Sequence, residues 1–215
     1  MLEEISFFIG KAICHQLPER SIIIDGHSLP FCARCTGIYI GICSTLIYFT
    51  LTKKFRATTI PSIKLSLMLL LLLFPLIVDG LGSYLTIFPS NNVTRITTGF
   101  IFGPSLPFFL VPLLRSGARS IEEIPIIKKV HEMLLPILSS GIVSFLVFQA
   151  LIPAGVLSLF LTLTLVVWVS LLFFLFFKRF QRRYISISLS LLCSVLSLIF
   201  MSHLHTISST LLEKV

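Results

Sequence analysis

Cys14, Cys32 and Cys35 are three of the five cysteines in this 215-residue chain, and His15 and His27 stand among them. Cys32-Ala33-Arg34-Cys35 brings two sulfurs close enough to chelate one ion. Cys14 with either His15 or His27 then completes a Cys3His shell, His15 being the favoured nitrogen donor. Zinc is the metal that thiolate and imidazole ligands suit first, and such a site would staple the N-terminal segment to the rest of the chain. The same spacing supports redox chemistry. In an oxidising compartment, Cys32 and Cys35 form a dithiol pair with Cys14 as a third, exchanging thiol. Arg34 between them and a helix N-terminus just behind them favour the thiolate. A static disulfide staple is the third reading.

Asp79 is the only carboxylate deep within an apolar segment. An ionisable group at such a place faces a partner or a cavity, and Arg95 is the expected partner. Arg95 also falls near the start of a helix, where the dipole and the guanidinium both attract an anion. A phosphorylated lipid is therefore a candidate ligand, with Asp79 as general acid or base and Asn92 and Thr98 in support. Cys43 and Cys193 read as small packed hydrophobes. His203 and His205 read as solvated, and His131 beside Glu132 as interfacial.

These residues must be positioned by a membrane protein. Hydrophobic residues make up 55% of the chain, charged residues only 12%, and the mean hydropathy is +1.01; soluble domains carry about 25% charged residues. The stretches 36–52, 65–84, 97–114, 132–152, 155–177 and 184–203 each approach the ~20 apolar residues that cross a bilayer. The expected fold is an all-α transmembrane bundle of about six helices. A short interfacial amphipathic helix over residues 3–13 and a Cys/His-rich segment precede it. The N-terminal segment is read as 1–35 and the bundle as 36–215. The N-terminus, with Glu3, Glu4 and Lys11 in or beside a short apolar run, does not read as a signal peptide.

Twelve of the 17 basic residues fall in three loops: Lys53 to Lys64, Arg115 to Lys129 and Lys178 to Arg183. The positive-inside rule puts those loops in the cytoplasm of a multi-pass plasma-membrane protein. Both termini and the cysteine motif then face outward, and Asp79 and Arg95 fall at the same outer end. The basic excess is thus a topology signal, which excludes nucleic acid as the partner. Pro104, Pro107 and Pro112 should kink or unwind the third helix. A tight turn at Pro153–Gly155 should make the fourth and fifth helices an antiparallel hairpin. Gly37 with Gly41, and Gly99 with Gly103, should let the first and third helices pack closely and carry Cys35 toward Arg95.

Cys14-His15-Gln16, Pro18-Glu19-Arg20-Ser21 and Cys32-Ala33-Arg34-Cys35-Thr36-Gly37-Ile38-Tyr39-x-Gly41 together resemble the signature of a prokaryotic membrane-protein family known as domain of unknown function 2085. Asp79-Gly80 and Asn92-x-x-Arg95-x-x-Thr98-Gly99-x-x-x-Gly103 fit the same pattern, so the resemblance covers roughly residues 10–105. It implies a polytopic membrane protein whose polar motifs act together, with Gln16, Arg20, Arg34 and Tyr39 in supporting roles. It brings no activity with it.

Four functions therefore stand open. One is a metal-bound site acting on a lipid-soluble or anionic substrate. The second is a thiol–disulfide oxidoreductase using Cys32 and Cys35. The third is a transporter or permease subunit built on the broken third helix, and the fourth a structural protein stapled by zinc or disulfide.

Overall fold

The structure, a computed structural model, describes residues 2–87, 89–115, 124–179 and 182–212. Arg119 and Lys214, two of the cations used to orient the chain, lie outside them. Among the described residues six helical stretches are long and apolar enough to cross a membrane. They are Ala33–Leu51, Ile63–Tyr84, Asn92–Arg115, His131–Phe148, Ala154–Phe177 and Arg183–Ser209. The fold is therefore the expected helical one, with a small two-stranded sheet added. The chain forms two compact units, Met1–Cys32 with Ala150–Val215, and Ala33–Gln149. The division falls inside the Cys-x-x-Cys motif and joins the last two long helices to the N-terminal segment.

The first unit opens with α1 (Leu2–Gly10), a short helix with Glu3 and Glu4 in its first turn. A hairpin comes next, which the sequence reading did not anticipate. Strand β1 (Ser21–Ile24) pairs antiparallel with β2 (His27–Cys32), Ile24 opposite His27 and Ser21 opposite Cys32. Asp25 (φ 51°) and Gly26 (φ 78°) form the two-residue turn. Positive φ at both positions matches the twist of the strands, which is why Asp-Gly is a strong hairpin signal. The register shifts between Ser21 and Ile23, opposite the part of β2 that holds Pro30; proline has no N–H for a ladder and settles at such irregularities. Ile22, Ile24, Leu29 and Phe31 are buried.

Helices α8 (Ala154–Phe177) and α9 (Arg183–Leu212) complete this unit and pack on each other. Ser186, Ser190, Ser194 and Ser202 are buried along α9, and the Ser170 and Ser194 hydroxyls meet at 2.8 Å. Small residues on such a stripe allow close helix approach. The helix continues past the expected end at residue 203, and Ser202 donates to the Phe8 carbonyl at 2.6 Å. His203 lies edge-on to Phe8 with ring centroids 5.1 Å apart. His203 is exposed, as expected, and His205, half-buried, is less solvated than expected, its ring meeting that of His15.

The second unit contains α2 (Ala33–Leu51), α3 (Ile63–Leu71), α4 (Leu73–Tyr84), α5 (Asn92–Phe102), α6 (Ser105–Arg115) and α7 (His131–Phe148). Helices α2 and α5 pack at backbone contact, as the glycine pairs predict. A Cβ on Gly99 would lie 3.1 Å from the Gly37 Cα, and one on Gly41 would lie 2.9 Å from the Pro104 nitrogen. Only hydrogen fits at either place.

The third membrane segment breaks at Gly103-Pro104 into α5 and α6, the interruption expected from its prolines. Pro104 cannot donate to the Phe100 carbonyl four residues earlier. The Ser140 hydroxyl of α7 reaches that carbonyl at 3.1 Å and the Ile137 carbonyl at 2.8 Å, and the Thr45 hydroxyl of α2 reaches the Pro104 carbonyl at 3.3 Å and that of Gly41 at 2.9 Å. The freed backbone is thus satisfied inside the unit, as apolar surroundings demand. The second segment, read from sequence as one helix, also breaks, at Leu72. Pro75 explains it, because it lacks the N–H that would bond to the Leu71 carbonyl.

The fourth and fifth helices, expected to form one hairpin, fall in different units. The chain does turn there, with Ala150 left-handed at φ 54°, but the turn is the boundary between the units. Helix α7 packs on α2 and α5, whereas α8 packs on α9 and α1. Buried small residues decide this, Ser140 and Ser144 on α7 and Ser158 and Thr162 on α8.

Candidate functional site

Two polar constellations carry the residues singled out above. The first begins at Cys14, which is 5% exposed. The Gly10 carbonyl accepts the Cys14 N–H at 2.9 Å, so Cys14 closes the last turn leaving α1. Gln16 then fixes this turn to the hairpin: its side-chain nitrogen donates to the carbonyls of Phe7 (2.7 Å) and Pro30 (2.9 Å). Gln16 itself is left-handed, φ 53°. Cys32 ends β2, and its N–H donates to the Cys14 sulfur at 3.2 Å. Ala33 begins α2, so Cys35 sits in the first turn of a helix whose start succeeds Cys32 directly.

The Cys14, Cys32 and Cys35 sulfurs all lie within 4.8 Å of one another. A tetrahedral ion with metal–sulfur bonds of ~2.3 Å needs its sulfurs roughly 3.8 Å apart, so a small closing movement suffices. A backbone N–H directed at a sulfur favours its thiolate form, which is the form that binds metal. The donor set fits a thiophilic ion.

The two histidines are placed differently from each other and from the sulfurs. His27 is exposed at the turn end of β2, the opposite end of the strand from Cys32. His15 is exposed beside Cys14, its ring edge-on to that of His205 with centroids 5.3 Å apart. Among the described residues neither belongs to the group of three sulfurs. The His205 Nδ1 is buried with no hydrogen-bond partner among them. Arg20 lies half-buried in a single 3-10 turn, Pro18–Arg20, just before β1.

The second constellation lies in the second unit. The Arg34 Nε donates to Asp79 Oδ2 at 3.0 Å, and its Nη2 bonds the same oxygen. The Ser90 hydroxyl donates to Asp79 Oδ1 at 2.6 Å and lies 3.2 Å from the Thr94 hydroxyl. Asn91 caps α5: its side chain accepts the Thr94 N–H at 2.8 Å, and the Asn91 N–H donates to the Thr94 hydroxyl at 3.2 Å. Such a reciprocal capping box fixes a helix start by satisfying its orphan donors.

The expected pairing of Asp79 with Arg95 is therefore corrected. Arg34, from the residues between the two motif cysteines, holds the carboxylate. Arg95, 8% exposed, donates to Asn92 Oδ1 at 3.2 Å and to the Ser83 hydroxyl at 3.4 Å. The reason is register. Close packing of α2 on α5 leaves Arg34, one turn before Gly37, facing Gly80 and Asp79; a Cβ on Gly80 would lie 3.8 Å from Arg34 Nη1. Thr98 bonds back to the Arg95 carbonyl at 3.1 Å, and Tyr39 is buried in α2.

Sequence reasoning missed Ser83, Ser90, Asn91 and Thr94. Ser90-Asn91-x-x-Thr94 before an apolar helix is a capping signal that could have found three of them. Ser83 had no such signal. The Thr36 hydroxyl, fully buried beside Cys35, has no hydrogen-bond partner among the described residues.

The motifs fall within the part of the chain that resembles known proteins. Residues 14–109 match the family described as predicted membrane protein (DUF2085), a span that holds the three clustered cysteines, Asp79 and Arg95. An uncharacterized protein of Methanocaldococcus jannaschii is 39% identical over 107 residues, covering 50% of this chain and 67% of the relative. An uncharacterized protein of Methanothermobacter thermautotrophicus is 40% identical over 97 residues, 45% of this chain and 82% of the relative. No solved structure matches the chain. The chain belongs to the family of predicted membrane proteins designated DUF2085.

Proposed function

We propose that this is a multi-pass plasma-membrane protein that holds zinc at Cys14, Cys32, Cys35 and His15 on its extracytoplasmic side. The observation that carries this reading is the three sulfurs within 4.8 Å of one another. His15, next to Cys14 in the chain, is the nitrogen donor for the fourth position, with His27 as the alternative. Both termini are assigned to the outer face and the three basic loops to the cytoplasm. The metal ties Cys14 to the Cys-x-x-Cys turn, and Arg34 within that turn bonds Asp79.

The substrate proposed for this site is a lipid-soluble or anionic molecule entering from the bilayer, a phosphorylated lipid being the example that suits Arg95. In a reaction Asp79 would exchange a proton with the substrate, once Arg34 released it, and Arg95 would hold the anionic group. Asn92 and Ser83 orient Arg95 for that task.

The test is elemental analysis of the detergent-purified chain. About one zinc per chain is expected, lost in Cys14→Ser, Cys32→Ser and Cys35→Ser and retained in Cys43→Ser and Cys193→Ser. Protein prepared without chelators that holds no metal would end this reading. A redox reading then takes its place, favoured by the N–H of Cys32 on the Cys14 sulfur. It requires Cys32 and Cys35 to change oxidation state in intact cells.

A further inference from the structure

One end of the second unit, where α2 and α6 finish and α3 and α7 begin, carries a folded basic cap away from the cysteine site. The segments after α2 and before α7 are joined there by Lys54, whose Nζ donates to Glu132 Oε2 at 2.8 Å and to the Ile126 carbonyl at 2.7 Å. The Lys128 N–H donates to the same Glu132 oxygen at 2.7 Å. Thr58 N–H reaches the Ile124 carbonyl at 2.9 Å. Beneath them Phe49, Phe108, Ile126 and Ile127 form a buried cluster. The cap is thus held rigid by groups other than its outer cations.

Lys54 engages Glu132 at this end; Glu122 and Glu123 of the same connection lie outside the described residues. Lys53 and Arg56 are exposed on the segment after α2, Lys128 and Lys129 on the segment before α7, and Lys64 and Arg115 on α3 and α6. Lys53 is one of five described non-glycine residues at positive φ, with Gln16, Asp25, Thr86 and Ala150. It succeeds the end of α2 in the left-handed region, φ 57°, where glycine is the usual residue because it bears no Cβ.

We propose that Lys53, Arg56, Lys128 and Lys129 form a seat for the phosphate headgroup of an anionic phospholipid in the leaflet that meets this end of the unit. Clustered cations at a membrane surface attract anionic lipid, each adding to the others within a screening length. The Lys54–Glu132 pair joins the segment that bears Lys53 and Arg56 to the one that bears Lys128 and Lys129, so the interaction occurs at this end of the helices, independent of any metal.

The test measures thermal unfolding of the full chain in detergent with phosphatidylglycerol, phosphatidylcholine or inorganic phosphate added. Phosphatidylglycerol is expected to raise the midpoint by several degrees more than the other two. Lys53→Gly should raise the midpoint of the lipid-free protein yet lose at least half of that increment, a split that a purely structural lysine would not give. Lys128→Gln/Lys129→Gln should lose most of it. Equal shifts with phosphatidylcholine or inorganic phosphate would overturn the proposal, as would both variants keeping the full increment. Should Lys53→Gly fail to fold, the exposed Lys128→Gln/Lys129→Gln variant decides.

Discussion

Arg34 and Asp79 are joined by two donor nitrogens on a single carboxylate oxygen, from the first turn of α2 to the middle of α4. Arg34 stands between the two motif cysteines, so the cysteine turn and the buried acid are covalently and electrostatically continuous. Asp79 is 5% exposed. A carboxylate at such a place in a membrane segment persists because it is paired.

Removing one partner should therefore cost more than removing both. Asp79→Ala leaves Arg34 uncompensated and should destabilise the protein by about 3 kcal/mol, whereas Arg34→Met/Asp79→Leu should recover much of the loss. Thermal unfolding in detergent checks this. A double variant no more stable than Asp79→Ala would show that the pair does not act as a unit.

The helix pair that places Arg34 depends on bare backbone at Gly99. Gly99→Ala should force α5 away from α2 and cost about 2 kcal/mol, because its Cβ would meet the backbone of Gly37 and Ile38 at 3.1 Å. Gly80→Ala is the matched control, its Cβ finding ordinary contact with Arg34 Nη1 at 3.8 Å. If both substitutions lowered the unfolding temperature equally, close packing would not be the reason for Gly99.

The break between α5 and α6 makes a coupling measurable. Ser140→Ala should cost about 1 kcal/mol by orphaning the Phe100 carbonyl. In a Pro104→Ala background the restored N–H can serve that carbonyl, so the same change should cost less. A double-mutant cycle reads the difference, and strict additivity would sink the account.

The hairpin ties local conformation to metal. Gly26 has open space around it but φ 78°, so Gly26→Ala strains the turn alone, by about 1 kcal/mol. Since β2 delivers Cys32, that variant should lose zinc at a lower chelator concentration than the wild type. Zinc retention unchanged to the same chelator titration would separate the hairpin from the site.

Much of this fold is legible in the sequence because lipid simplifies the code. Apolar runs of spanning length announce α2 through α9, and glycines four apart announce the contact of α2 with α5. Cys32-x-x-Cys35 announces itself by local spacing. The Asp25-Gly26 hairpin was legible as well, but its signal lay inside a segment read only for ligands.

The sequence by itself determined the membrane class, the helical segments and the nearness of Cys32 to Cys35, since periodicity and one turn of chain suffice for each. Only the tertiary structure decided that Arg34 rather than Arg95 holds Asp79, and that α7 and α8 belong to different units. Each of these depends on which helix faces lie together. Among uniformly apolar helices that choice rests on a few glycines, serines and broken turns, whose partners are distant in the chain and have no signature at fixed spacing.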